Sequence, residues 1–399
     1  MGTTGISAMD DVGIVRTHRA RRRLRITFVN YGLHCGGAER TISLLANAWS
    51  EIGHQVTIVT LSADLPFFRL DTGIRHVALG LQSDSKSVVA ATMANLVRIS
   101  RLRSAIRKTQ PDVIVSFTVH TNIRVLLATA GLGIPRIICE RTDPQVLHVG
   151  PFWSFLRRLT YRNAEAVQCL TDNVASWVRP LVSGVVTVIP NPVLAGTSTQ
   201  SSIELPGQYR VAAMGRLHPV KGFESLFRAF ARLSSRFPEW SLILIGEGSE
   251  RVPLERLRDE LGLRDRIHLL GKLENPNAVL SDCHLFVLSS SREGFPGALC
   301  EAMACGLPVI SFDCPSGPRC IVRHGVDGLL VNSGDLQCLR SAMELLMSSH
   351  ELRARMAARG PEIVERFAMQ NFMDKWNSLL DKLVPQLSAE KLSGQSQKC

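Results

Sequence analysis

Residues 291–310 read SREGFPGALCEAMACGLPVI. The run just before them, CHLFVLSS, is short and apolar and predicts a buried strand. PGALCEAMACG instead carries apolar residues at helical spacing and stops at Gly306. Pro296 suits the first helical position, where its missing N–H costs nothing. A strand that enters a helix through a turn broken by glycine and proline is part of a β/α unit. It puts Glu293 on the loop leaving the strand and Glu301 about one turn further along the helix. Between the carboxylates, the free amides of Gly297, Ala298 and Leu299 point out of the helix N-terminus, a ready site for an anion such as phosphate. Each carboxylate can then accept hydrogen bonds from sugar hydroxyls beside that phosphate. A buried helix with two solvated glutamates has the same local spacing, so the rest of the chain must separate the two readings.

From residue 24 onward, short apolar runs alternate with helical patterns. LRITFVN comes first, then a helix from about Gly37 to Glu51, then HQVTIVTL, IRHVAL, PDVIVSF, PRIICE, AEAVQCL and VVTVIP. Their unbroken Val/Ile/Leu character suits parallel strands covered on both faces. LAGTSTQSSIELPGQ has no periodicity and marks a linker over 193–207. The alternation restarts with YRVAAMG, a helix from about Lys221, SLILIG, a helix over ERVPLERLRDELG, then RIHLLG, CHLFVL, LPVISF and DGLLV. A chain of 399 residues fits two such domains. The expected fold is α/β: two Rossmann-like β/α/β domains, 24–192 and 208–367, facing a deep interdomain cleft, with a helix at about 368–386 crossing back onto the first. Residues 1–23 are expected to be a disordered basic tail and 387–399 a polar one. Ligands should lie beyond the carboxyl ends of the strands, in the cleft.

An apolar content of 45% and a charged content of 20% are those of a globular chain able to build two cores. The charge is one-sided. Residues 1–190 hold 22 Lys+Arg against 12 Asp+Glu, and residues 191–399 hold 24 against 23. Six arginines crowd into RTHRARRRLR, just before the first apolar strand. Such a half suits an anionic partner, either nucleic acid or a lipid surface. No aromatic residues interleave with these arginines, which argues against a single-strand binder and leaves an electrostatic membrane patch or a solvated tail. GPFWSFLRRLTYR, residues 150–162, is a candidate amphipathic stretch for the same surface, or else an ordinary helix packed on its own domain. The ten cysteines are scattered with no C-x-x-C and no metal-like cluster, as in a reduced compartment. No apolar run approaches a membrane span and no signal-peptide core is present. The expected location is cytoplasmic, peripherally associated with the membrane.

Residues able to bind a substrate gather just after predicted strands. Gly36 and Gly37, in GLHCGGAER, open a helix and allow close approach of a phosphate or sugar. GRLHPVKG brings Arg216 and Lys221 together around a proline turn, two cations suited to a diphosphate and to the charge that grows on a leaving group. Gly246 and Glu247, in LIGEGSE, resemble half a dinucleotide fingerprint without its third glycine. His120, in SFTVHTN, follows a strand and precedes a helix at the level of the cleft; a purely structural histidine fits there too. Asn191, in IPNPV, reads as a hinge-turn residue.

GRLHPVKG, GEG and above all SREGFPGALCEAMACGLPVI followed by GVDGLLV resemble the retaining glycosyltransferases of family four, with the two-Rossmann GT-B architecture. The likeness runs over nearly the whole chain from about residue 24. Glu293 and Glu301 match that family's E-x7-E motif. CGGAER, CERTDP and FDCPSGP look most like members that build bacterial surface polysaccharides or lipid-linked oligosaccharides. The resemblance implies that Glu301 accepts ribose hydroxyls of a nucleotide and Glu293 meets hydroxyls of the donor sugar. Arg216 and Lys221 would grip the diphosphate, assisted by the amides of Gly294, Phe295, Pro296's neighbour Gly297, Ala298 and Leu299. Gly37 would close on the donor from the other domain, and His120 would line the reaction centre. No metal or other cofactor is implied, since two cations and a helix terminus take that part. One position departs from the pattern: after DCPSGPR relatives often carry glutamate, and this chain has Cys320.

The implied function is transfer, with retention, of a sugar from a nucleotide-diphosphate sugar, a UDP-hexose or UDP-N-acetylhexosamine, to a saccharide or lipid-linked acceptor. An anionic membrane surface is the expected partner of the basic N-terminal half, and nucleic acid is not. Two alternatives stay open: a sugar-nucleotide epimerase on the same fold, and a basic nucleic-acid-binding protein with a Rossmann-like core.

Overall fold

The computed structural model describes residues 22–82, 88–145, 147, 149–196 and 203–384. Residues 1–21 and 385–399, with nearly all of the basic tail and the whole polar tail, lie outside the described residues, as does 197–202 of the linker.

The first half lays down β1 (Arg25–Asn30), α1 (Gly37–Glu51), β2 (Gln55–Thr60), β3 (Arg75–Ala78) and α2 (Val88–Thr109). It continues through β4 (Val113–Phe117), α3 (Val119–Ala128), β5 (Arg136–Glu140) and α4 (Pro151–Tyr161). β6 (Ala166–Cys169), α5 (Asp172–Val178) and β7 (Val185–Val188) complete it. The second half begins with β8 (Tyr209–Met214), α6 (Phe223–Ala231), β9 (Trp240–Ile245), α7 (Arg251–Glu260) and β10 (Ile267–Gly271). Then come α8 (Pro276–Ser281), β11 (Leu285–Leu288), α9 (Gly297–Ala304), β12 (Val309–Asp313), α10 (Pro318–Ile321) and β13 (Gly328–Asn332). Four helices close the chain: α11 (Leu336–Ser348), α12 (His350–Arg359), α13 (Glu362–Arg366) and α14 (Met369–Leu383).

Each half is one parallel sheet, ordered β3-β2-β1-β4-β5-β6-β7 and β10-β9-β8-β11-β12-β13. These are two Rossmann-like domains of the GT-B kind. The apolar runs need no polar alternation because helices cover both faces. In the second sheet Val211, Leu242, Leu244, Leu285 and Val287 enter the core under α6 and α11. Their neighbours Ala212, Ile243, Ile245, Phe286 and Leu288 enter the opposite core with α8 and α9, the two-residue period of a strand made visible. The first sheet does the same, with Ile26, Phe28, Val113, Val115 and Phe117 facing α1 and Val29, Val59 and Ile114 facing α2.

α14 belongs to the first domain's core although it ends the described chain. Phe372, Trp376, Leu379 and Leu380 pack beside Trp49 and Ile42 of α1. The Trp376 and Trp49 rings meet edge to face at 5.8 Å, and Trp49 Nε1 donates to Asn377 Oδ1 at 3.1 Å.

Both strand orders reverse direction at the pairs β1/β4 and β8/β11. A crevice opens at such a point because successive connections leave on opposite sides of the sheet. The segments leaving these four strands, loops and the first turns of the helices they enter, carry Gly36 and Gly37, His120, Arg216 and Lys221, and Glu293. Among the described residues no helix is long and apolar enough to cross a membrane.

Candidate active site

On the second domain's side, the β8 loop first exposes Arg216, which makes no hydrogen bond or ion pair among the described residues. A 3-10 turn over Pro219–Lys221 follows, and the left-handed Gly222 (φ +62°) separates it from α6. The helix therefore starts at Phe223 and not at Lys221. This leaves the Lys221 side chain free of the helix, with Nζ 2.7 Å from Glu293 Oε1. Glu293 is 9% exposed, so its charge is held by one close cation in a poorly solvated place.

α9 begins one residue later than its sequence suggests. Pro296 is not the first helical residue: its backbone is extended (φ −72°, ψ 98°), and its carbonyl accepts the Cys300 N–H at 3.3 Å. That is the behaviour of the residue before a helix, whose carbonyl takes the first helical bond while its own dihedrals stay outside. No side chain caps the helix, so its first amides, those of Gly297, Ala298 and Leu299, face outward with the positive end of the helix dipole. Phe295 and Leu299 turn their side chains into the core, Phe295 edge-on to Phe367 at 5.1 Å. Only their backbones face the loop side. Glu301 lies one turn along, with its side chain 17% exposed, and its Oε1 is ion-paired to Arg40 Nη1. Burial pushes the Glu301 carboxyl up, and Arg40 pulls it back.

Gly246 and Glu247 contribute differently from a cofactor fingerprint. A Cβ on Gly246 (φ +141°) would sit 1.9 Å from the Gly215 carbonyl oxygen, so this glycine lets the β8 and β9 loops touch. The exposed Glu247 pairs with Arg251 of α7 at 2.5 Å and turns its carbonyl to the Leu217 N–H at 2.9 Å. Both residues brace the loop that carries Arg216.

On the first domain's side, Gly36 precedes α1 in extended conformation and Gly37 is exposed. A Cβ on Gly37 would meet nothing within 4 Å; packing within the protein does not require glycine there. His120, on the first turn of α3, packs edge-on to Trp153 of α4 at 4.7 Å. Burial, with Arg124 and Arg157 nearby, lowers its pKa, so the imidazole is neutral at pH 7.

A second cluster eluded the sequence reading. Arg141, the residue after β5, donates through Nη2 to Asn191 Oδ1 at 2.6 Å and to Thr41 Oγ1 at 2.9 Å. Thr41 in turn donates to Asn191 Oδ1 at 3.0 Å. Burial lowers the Arg141 pKa to about 10, and its Nε has no partner among the described residues. Asn191 is therefore more than a turn residue: it ties α1 and β5 to the start of the interdomain connection. CGGAER and CERTDP contain Arg40 and Arg141, but nothing local marks their partners, which lie 261 and 50 residues away.

Among the described residues, several contacts bring the two domains together, Leu170 of the first packing into the second domain's core beside Phe295 and Leu299. Besides Arg40 and Glu301, Ser316 Oγ donates to Asp143 Oδ2 at 2.7 Å, and Lys272 Nζ stands 3.6 Å from the Phe67 ring centre. The backbones also approach closely at Gly294, where a Cβ would lie 2.2 Å from the Arg141 carbonyl oxygen. Cys320 is exposed at this seam; partial burial and Asp172 push its thiol pKa up, so it is protonated at neutral pH. Among the described residues no group of three or more His, Cys, Asp and Glu side chains is placed to hold a metal ion.

Residues 198–363 match the family described as glycosyl transferases group 1, and residues 36–192 match the glycosyl transferase 4-like domain. A Campylobacter jejuni protein named GalNAc-alpha-(1->4)-GalNAc-alpha-(1->3)-diNAcBac-PP-undecaprenol alpha-1,4-N-acetyl-D-galactosaminyltransferase is 26% identical over 90% of this chain and 98% of its own. The lipopolysaccharide core biosynthesis glycosyltransferase LpsE of Rhizobium meliloti is 27% identical over 90% of this chain and 99% of its own. Among solved structures, Anabaena Alr3699/HepE in complex with UDP superposes with a TM-score of 0.73 at 19% identity, over 90% of this chain and 100% of that one.

Proposed function

The chain belongs to the group 1 glycosyl transferases, and from that premise we propose that it moves a sugar with retention from a UDP-sugar to a lipid-linked saccharide. One observation carries the reading: the two motif carboxylates, Glu293 and Glu301, flank the uncapped N-terminus of α9 and are each held by a cation, Lys221 and Arg40. A diphosphate set against the α9 amides meets Arg216 and Lys221, and its two neighbours along the donor, ribose and sugar, fall to Glu301 and Glu293. Departure of the diphosphate leaves positive charge on the sugar, and its own oxygens take the proton of an acceptor hydroxyl arriving on the same face. These cations and the helix terminus stabilise the leaving group without a metal. His120, neutral and turned toward Trp153, lines the sugar from the first domain. UDP is supported by the complex of the Anabaena protein, and a lipid-linked acceptor by the substrate in the Campylobacter protein's name.

The membrane reading has its own support. α2, α3 and α4 carry five, one and two basic residues and no Asp or Glu. They also expose Met93, Leu96, Val97, Leu127, Phe152, Phe155 and Leu159. Cations beside protruding apolar side chains suit an anionic lipid surface better than a polynucleotide.

The test is a panel of sugar nucleotides screened for saturable binding and metal-free hydrolysis, with wild type beside Glu301→Ala and Glu293→Gln. One UDP-sugar should bind, and Glu301→Ala should lose it by about tenfold or more. Interconversion of the sugar without transfer would favour an epimerase; binding of polynucleotide alone would sink the proposal.

A further inference from the structure

Among the described residues, Glu301 and Arg40 form an ion pair that joins the two walls of the cleft. Arg40 stands on the first turn of α1 in the first domain, and Glu301 lies in α9 of the second. Neither side chain has another hydrogen bond or ion pair among the described residues. Lys221 and Glu293 make a parallel pair within the second domain alone, so they can stay together whichever way the domains move.

A ribose presents two neighbouring hydroxyl donors, and a carboxylate accepts them through both oxygens. Here Oε1 of Glu301 is taken by the guanidinium. A nucleotide seated on Glu301 must displace it, and the displaced guanidinium, on a side chain 38% exposed, is free to turn to another anion. The closest one on offer is the donor's own diphosphate. Arg40 follows the half-buried Gly36 and the exposed Gly37 at the start of α1, and its planar fork matches phosphate oxygens.

We propose that Arg40 exchanges partners when the donor binds: it holds the ribose's place on Glu301 beforehand, then passes to the diphosphate as a third cation beside Arg216 and Lys221. This inference rests on the reading of Glu301 as the ribose acceptor. It makes Arg40 the link between ribose recognition in one domain and phosphate contact from the other. It also predicts that nucleoside and nucleotide respond to its removal in opposite directions.

Calorimetric titration of UDP, uridine and 2′-deoxy-UDP into wild type, Arg40→Gln, Arg40→Lys and Glu301→Ala tests the exchange. With its competitor gone, uridine should bind Arg40→Gln about two- to fivefold more tightly. UDP should bind it about tenfold or more weakly, and Arg40→Lys should fall between wild type and Arg40→Gln for UDP. Uridine and UDP weakening in parallel, or neither changing, would overturn the exchange. The reading of Glu301 fails separately, if Glu301→Ala still prefers UDP to 2′-deoxy-UDP as strongly as wild type does. Absence of UDP binding by all four proteins would overturn both for a uridine donor.

Discussion

Single residues in this protein show how burial rewrites the chemistry of a carboxyl group. Glu140 ends β5 fully buried, accepting from the Tyr161 hydroxyl, with Arg157 Nη1 3.9 Å away. Burial raises its pKa from 4.5 to about 7, with the Tyr161 hydrogen bond and then Arg157 pulling it back. Its folded value lies above its unfolded one, so the folded protein holds the proton more tightly. The stability it contributes is complete below about pH 4.5 and is lost as the pH rises through 7. Glu140→Gln keeps an acceptor for Tyr161 and cannot ionise. Relative to this variant, the unfolding free energy of wild type should fall by about 1.4 kcal/mol per pH unit across that window. Chemical denaturation at several pH values measures it, and equal slopes for the two proteins would refute the assignment.

At the scale of elements, α4 shows a helix serving two surfaces. Its inner side packs Tyr161 and Arg157 against the network at Glu140 and turns Trp153 to His120. Its outer side leaves Phe152 and Phe155 61% and 62% exposed. α3 joins it to α2, since Arg124 bonds Asn95 at 3.0 Å and lies 5.0 Å from the Trp153 ring centre. For GPFWSFLRRLTYR the first reading, a helix packed on its own domain, describes the inner side, and the exposed phenylalanines are what the second, a membrane-surface stretch, requires. Co-sedimentation with phosphatidylglycerol vesicles checks the second. Phe152→Ser with Phe155→Ser should lower vesicle affinity by at least about tenfold and leave the melting temperature nearly unchanged. Binding that persists undiminished in the double variant would dismiss the face as a docking surface.

For the whole molecule, the decisive quantity is how closely the domains approach. Gly294 allows the second domain to touch the Arg141 carbonyl of the first, at a distance that no Cβ tolerates. Gly294→Ala should therefore hold the walls apart while each sheet folds as before. Displacing reacting groups by about an ångström costs on the order of a hundredfold in rate. We expect kcat to fall by about that factor with thermal unfolding unaltered; a fully active variant would mean that the approach is not needed for transfer.

The sequence by itself determined the elements and their kind. Each of the apolar runs, from LRITFVN to DGLLV, is a strand of one or the other parallel sheet, because burial on both faces leaves its mark locally, residue after residue. The loop residues of the proposed site were legible for the same reason, since they follow strands directly. Helix starts were less so: Pro296 and Lys221 each stand just outside the helix they seemed to open, because the turn before a helix obeys backbone dihedrals that side-chain spacing does not reveal. Only the tertiary structure decided the partners. Arg40 meets Glu301 across the two domains, while Arg141 meets Asn191 and Thr41 and Trp376 returns to Trp49 within the first, contacts fixed by how elements distant in the chain meet in space. A buried charge writes its need for a partner into the sequence, but its choice among distant candidates is made in space.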